Sequence, residues 1–148
     1  MKKIILVFYM FLVGCGYQSI YSNKNIENLN FKSIKLEGDK EINRKIISSL
    51  SIKEDKLTSQ NNELLLNSDL KIEEILKNSK GQVISYKSRI SVKLSIIKNK
   101  KIFRNKKFNQ EFTYNSLDNK FDLIEYQNEV KNNITNKIIE EIVIFLNL

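Results

Sequence analysis

The chain has 148 residues, with 25 Lys and Arg against 17 Asp and Glu, a formal charge of +8, and this length fits one domain. It contains no His, Pro, Trp or Ala, a single Cys and 4 Gly. That inventory excludes a Cys/His zinc site, a Ser-His-Asp triad, an intrachain disulfide and any Gly-rich phosphate loop. The chain is also rich in Ile, Lys and Asn, the mark of AT-rich coding sequence, so part of the Lys excess carries no functional meaning.

The chain opens with Met1-Lys2-Lys3 and an unbroken apolar run from Ile4 to Val13. That run is far shorter than the roughly 20 residues a stable membrane-spanning helix needs, and a basic start before a short apolar stretch reads as a secretory signal. Leu12-Val13-Gly14-Cys15 follows. It resembles the bacterial lipobox, in which small residues precede an obligatory Cys. The resemblance implies cleavage after Gly14, a diacylglycerol on the Cys15 sulfur and an acyl chain, such as palmitate, on the new amino group. Several buried chains anchor stably, since each buried CH2 contributes about 0.8 kcal/mol. A soluble secreted protein with a stray thiol is the competing reading. Its weakness is that the chain's one Cys falls where the lipobox requires it. Gly rather than Asp at residue 16 favours, by analogy with enterobacterial sorting, the outer membrane. Residues 1–14 are therefore expected to be a signal peptide, 15–30 a lipidated, Asn-rich tether, and 31–148 one domain.

Phe31 to Leu36 alternates with period two and predicts a strand. Glu37-Gly38-Asp39 predicts a turn with Asp39 as helix N-cap, and Ile42, Ile46, Ile47 and Leu50 then fall on one helical face. Residues 53–62 read as a polar loop. Leu70, Ile72 and Leu76 suggest a strand interrupted by Glu74, although residues 63–77 also fit a helix. After a turn at Ser79–Gln82 comes the clearest signal. Ile84, Tyr86, Ile90, Val92, Leu94 and Ile96 occupy even positions, while Lys87, Arg89 and Lys93 occupy odd ones. A further strand from Ile102 to Tyr114 also keeps its large apolar residues at even positions. Because register follows burial, this parity predicts a three-residue loop at Lys98-Asn99-Lys100, pairing Ile96 with Ile102, Ile90 with Phe108 and Tyr86 with Phe112. From Asp118 onward, Val130, Ile134, Ile138, Ile142 and Leu146 form a helical stripe, widened by Ile124, Ile139 and Phe145, behind an acidic start at Asp122 and Glu125.

The order β-α-β-β-β-α predicts an α+β two-layer sandwich, with about four strands, two helices on the apolar face and a basic face opposite. From Ile75 to Gln110 the chain carries eleven cations and no acid. Such a face can pair with phosphates and carboxylates through charge-assisted hydrogen bonds, and Arg89 and Arg104 stand out because guanidinium suits bidentate phosphate contact. The bland alternative is a solvated strand face that resists edge aggregation.

Cys15-Gly16-Tyr17-Gln18-Ser19-Ile20-Tyr21, placed directly after the lipobox, resembles the start of the LPS-assembly lipoprotein LptE family; Ser19 stands where some branches have Pro. Size, element order and the long C-terminal amphipathic helix resemble that family too. The resemblance implies an outer-membrane lipoprotein on the periplasmic side that plugs the LptD β-barrel, assists its assembly and binds lipopolysaccharide. It also implies a basic lipopolysaccharide-contacting pair in the two connections at one end of the sheet, carried here to Lys80 and Lys120. No cofactor beyond the covalent lipid, no metal, no nucleic acid and no enzymatic activity are expected. The alternative is a periplasmic lipid-shuttling or transporter-auxiliary lipoprotein with an internal apolar cavity.

Overall fold

The structure, a computed structural model, describes residues 29–57 and 61–147. The lipobox residues Leu12, Val13, Gly14 and Cys15 and most of the expected tether lie outside the described residues. In chain order the elements are β1 (Asn30–Phe31), β2 (Ser33–Gly38), α1 (Lys40–Ser49), β3 (Lys53–Glu54), β4 (Asn62–Lys77), β5 (Val83–Lys98), β6 (Lys101–Asn115) and α2 (Lys120–Asn147). The main sheet has the order β2-β4-β5-β6, and β1 and β3 form a small parallel pair. This is the expected α+β sandwich. The segment read as a polar loop contributes one short strand, β3.

Gly38 and Asp39 set the first corner. Gly38 ends β2 at φ +84, and a Cβ there would lie 1.8 Å from the Ser68 carbonyl oxygen. The next residue donates its N–H to that same oxygen at 3.0 Å. The Asp39 carboxylate then caps α1, accepting from the N–H groups of Glu41 and Ile42, each at 2.9 Å. Helix α1 stops at Ser51, which adopts φ 51 while Ile52 donates its N–H to Ile47 O at 3.1 Å, a left-handed C-terminal cap. Strands β2 and β4 run parallel. Parallel neighbours need a crossover of a dozen or more residues, and α1 with β3 provides it.

Strand β4 begins well before the expected apolar group. Its core contribution is Leu64 and Leu66, both buried, whereas Ile72 and Leu76 are exposed. The ladder to β5 decides in favour of strand across the whole segment, since Asn62 pairs with Lys98 and Glu74 with Tyr86. Ile42 and Ile46 from α1, Leu64 and Leu66 from β4, Ile90, Val92 and Leu94 from β5, Phe108 and Tyr114 from β6, and Val130, Ile134, Ile138, Ile139 and Ile142 from α2 form one core. Each such side chain contributes about 1.5–3 kcal/mol by leaving water. Lys131 on α2 reaches Glu41 on α1 at 2.6 Å, tying the helices together.

The β5–β6 connection departs from expectation. The turn has two residues, not three: Lys98 pairs with Lys101, and Asn99 and Lys100 take φ 51 and 62, the signature of a type I′ turn. Such a turn sets even positions against odd ones. The ladder corrects this within one step, because Ile97 pairs with Ile102 but Ile96 pairs with Arg104. Phe103 is the extra residue, a β-bulge. Beyond it Val92 faces Phe108 and Tyr86 faces Tyr114, so the parity demanded by burial is recovered in a register two residues away from the expected one.

Two glycine substitutions test this account. Gly38→Ala should lower the unfolding free energy, measured by urea denaturation, by more than about 2 kcal/mol, because left-handed strain adds to a backbone clash. Gly81 has φ +78 but nothing within 4 Å of an added Cβ, so Gly81→Ala should cost only about 1 kcal/mol. Equal losses would contradict the close approach at Ser68.

Candidate functional site

The register decides where every cation lies. Residues that pair share a face, and Lys35, Lys71, Lys87, Arg89, Lys93 and Lys107 project on the side away from the helices together with Glu37, Glu63, Asp69, Glu73 and Glu111. The expected basic face is therefore a mixed one. The acid-free window from Ile75 to Gln110 is acid-free only along the chain; β4 and the end of β6 bring carboxylates alongside it.

Arg89 illustrates the difference. It opposes Glu111, with Nε 3.0 Å from Oε2, and Lys87 Nζ lies 3.6 Å from Glu111 Oε1. The hydrogen bond from Arg89, followed by the charge of Lys87, holds the Glu111 carboxyl below the ordinary carboxylate range. The hydrogen bond and charge of Lys71 do the same for Glu73. Arg89 is thus engaged by a carboxylate that it shares with Lys87. Arg104 opposes Ile96 and shares the helix-facing side, where its guanidinium lies 5.1 Å from the Phe145 ring centroid. The two arginines singled out from the sequence do not act on one face.

Among the cations without a carboxylate, one group gathers towards the β5–β6 turn. Among the described residues no ion pair involves Lys93, Lys98, Lys100, Lys101, Arg104, Lys106 or Lys107. Lys93 directly opposes Lys107, and Lys98 opposes Lys101. Like charges facing across a ladder are destabilising, so the fold bears a cost there that an anion would relieve. Lys93, Lys106 and Lys107 line an open polar groove of about 680 Å³ with Asn67, Asp69, Ser91 and Asn105. At the hairpin turn, Ile102 and Phe103 are 63% and 64% exposed, and Lys98 Nζ lies 5.7 Å from the Phe103 ring centroid.

The opposite end is apolar. Ile72 and Leu76 of β4, Ile84 of β5, Phe112 of β6, and Phe121 and Ile124 of α2 are all exposed there, Phe121 by 82%. A connected set of rings underlies them: Tyr86 stacks on Tyr114 at 5.9 Å, Phe112 stacks on Tyr114 at 6.5 Å, and Tyr126 meets Tyr114 edge-on at 5.6 Å. Exposed apolar clusters of this kind mark interaction surfaces. Lys80 and Lys120 belong to this end. Lys80 sits in a turn held by the Asn78 side chain, whose Oδ1 accepts from the N–H groups of Lys80 and Gln82, each at 3.0 Å. Lys120 starts α2, just past Asn115, which pairs with Ser85. A cation in the first turn opposes the helix dipole, so helix stability does not account for it. The sequence places Lys93, Lys98 and Lys101 in the cationic stretch without singling them out, and gives no sign of Phe103. The signal that could have found them was the pairing of like charges, visible only with the register in hand.

Among the described residues there is no group of three or more Asp, Glu, Cys or His able to hold a metal ion, and no helix is long and apolar enough to cross a membrane. No protein-family model and no curated protein matches the chain. Solved structures do. The chain is similar to rare lipoprotein B from Shewanella oneidensis at 13% identity and TM-score 0.60, over 78% of this chain and 93% of that one. It is similar to lipoprotein B from Nitrosomonas europaea at 11% identity and TM-score 0.57, over 86% and 87%. A lipoprotein from Caulobacter crescentus matches at 13% identity and TM-score 0.54, over 76% and 86%. The helix-backed sheet is thus a fold shared with bacterial lipoproteins.

The Arg89–Glu111 pair predicts a pH signature. A carboxyl depressed in the folded state contributes stability above its unfolded pKa, and that contribution is lost as pH falls through the folded value. In an NMR titration the Glu111 midpoint should lie below the ordinary carboxylate range and rise towards it in Arg89→Gln. An unchanged midpoint would mean the pair does not persist in solution.

Proposed function

We propose that the protein is an outer-membrane lipoprotein of LptE type, anchored on the periplasmic side through acyl chains on Cys15. It serves as a non-enzymatic plug and assembly partner of an LptD-type β-barrel and handles lipopolysaccharide. The observation that carries this reading is the lipoprotein-shared fold on a chain whose one Cys follows Leu12-Val13-Gly14. The apolar end supports it further: Phe112, Phe121 and Ile124 offer a barrel interior an apolar contact, while exposed Lys80 and Lys120 offer lipid A phosphates two cations. Arg89 has the smaller share in this, because its guanidinium already engages Glu111.

A tagged chain recovered from solubilised membranes should bring down a large β-barrel protein, and mass spectrometry of the same sample should find Cys15 acylated. Recovery of inner-membrane transporter components alone would overturn the reading. Lys80→Glu combined with Lys120→Glu should weaken binding to lipopolysaccharide micelles by at least about tenfold, since each charge-assisted contact is worth more than 1 kcal/mol. Arg89→Gln should weaken that binding by less.

A further inference from the structure

We propose that the β5–β6 hairpin tip is a second membrane contact, in which Lys98, Lys100, Lys101 and Arg104 dock on the phosphodiester headgroups of an anionic phospholipid surface while Phe103 enters its interface. This rests on the acyl-anchor reading above, and the surface is the leaflet that holds the acyl chains.

Position is the first argument. Ser33 pairs with Glu63, Asn62 with Lys98, and Lys98 with Lys101, so the start of β2 and the hairpin turn lie along one end of the sheet. Lys32 donates its N–H to Asn62 O at 2.8 Å and Asn99 donates to Asn61 O at 3.3 Å, which joins the entering chain to the turn. The chain from Cys15 therefore meets the fold at this end. Those intervening residues can span at most about 50 Å even when fully extended. Strand β5, with 16 residues, runs about 50 Å to the other end of the sheet. With the sheet upright, the apolar end reaches the bilayer only if the tether is fully extended, whereas the hairpin turn reaches it at any shorter tether length.

Chemistry is the second argument. The tip concentrates cations that no carboxylate neutralises, and two of them, Lys98 and Lys101, are held face to face by the ladder. Anionic headgroups attract such clusters within a Debye length. The bulge releases Phe103 from the regular ladder, and the ring stands exposed beside Lys98. An aromatic ring among cations is the side-chain set that settles at a headgroup–acyl boundary. Salt-bridged surface lysines, like Lys71 with Glu73, lack both properties.

The chain has no Trp, so Phe103→Trp places one reporter at the tip and Phe121→Trp one at the far end. Each full-length lipidated variant is reconstituted into phosphatidylcholine vesicles with or without phosphatidylglycerol, using brominated acyl chains as quenchers. The Phe103→Trp reporter should be quenched and blue-shifted in the anionic vesicles, less so at high salt, and the Phe121→Trp reporter should not. Lys98→Gln, Lys101→Gln and Arg104→Gln should each reduce the phosphatidylglycerol-dependent contact about fivefold without changing flotation. Flotation with no quenching at the tip would overturn this proposal alone. Failure to float with any vesicle would overturn the acyl anchor and this proposal with it. Quenching that requires lipopolysaccharide in place of phosphatidylglycerol would reassign the tip to the glycolipid.

Discussion

The β5–β6 hairpin must bury one face of each strand, and this single demand propagates through the molecule. Its two-residue turn, with Asn99 and Lys100 at positive φ, matches the right-handed twist of the strands but places even residues opposite odd ones. Left alone, that register would turn the Phe108 and Tyr114 side chains to solvent, and a strand slipped by one residue loses its whole apolar face. The bulge at Phe103 restores the match for the cost of one interrupted rung. The restored register then dictates the electrostatics. Arg89 meets Glu111 where the three-residue loop would have given it Asn109, and Lys93 meets Lys107.

The cations consequently do different work in different places. Lys87 and Arg89 share Glu111 and contribute to a mixed, self-compensated face. Arg104 and Lys106 lie over the Phe145 ring in the last turns of α2, where the helix dipole is negative and positive charge is favourable. Lys120 stands at the positive end of the same helix, where charge of its sign is unfavourable. The hairpin lysines have no carboxylate partner among the described residues. The sheet is therefore polarised along its strands: one end is cationic and adjoins the incoming chain, while the other is apolar with two lysines at its rim. This polarity is the feature on which the proposed anchoring and partner contact rest.

Much of the fold was legible because burial writes a period into the chain. Alternation through β5 and the Val130–Ile142 stripe of α2 named their elements and their buried faces. Asp39 announced its cap because a carboxylate before an apolar helical face has one favourable use, accepting from the first free N–H groups. Strand β4 was legible only in part. Ile72 and Leu76 are apolar enough to be core, yet they remain exposed, while the true core pair, Leu64 and Leu66, lies in a stretch open to either period.

From sequence alone came the expectation of a signal and lipobox, and, within the described residues, the number and order of the main elements and the parity by which β5 and β6 meet, since each depends on near neighbours along the chain or on the sign of burial. Tertiary structure alone decided which cations are free and which are answered by a carboxylate. A charge acts through space at a few ångströms, and a shift of two residues in register exchanges its neighbour for another without altering any periodicity that the chain displays.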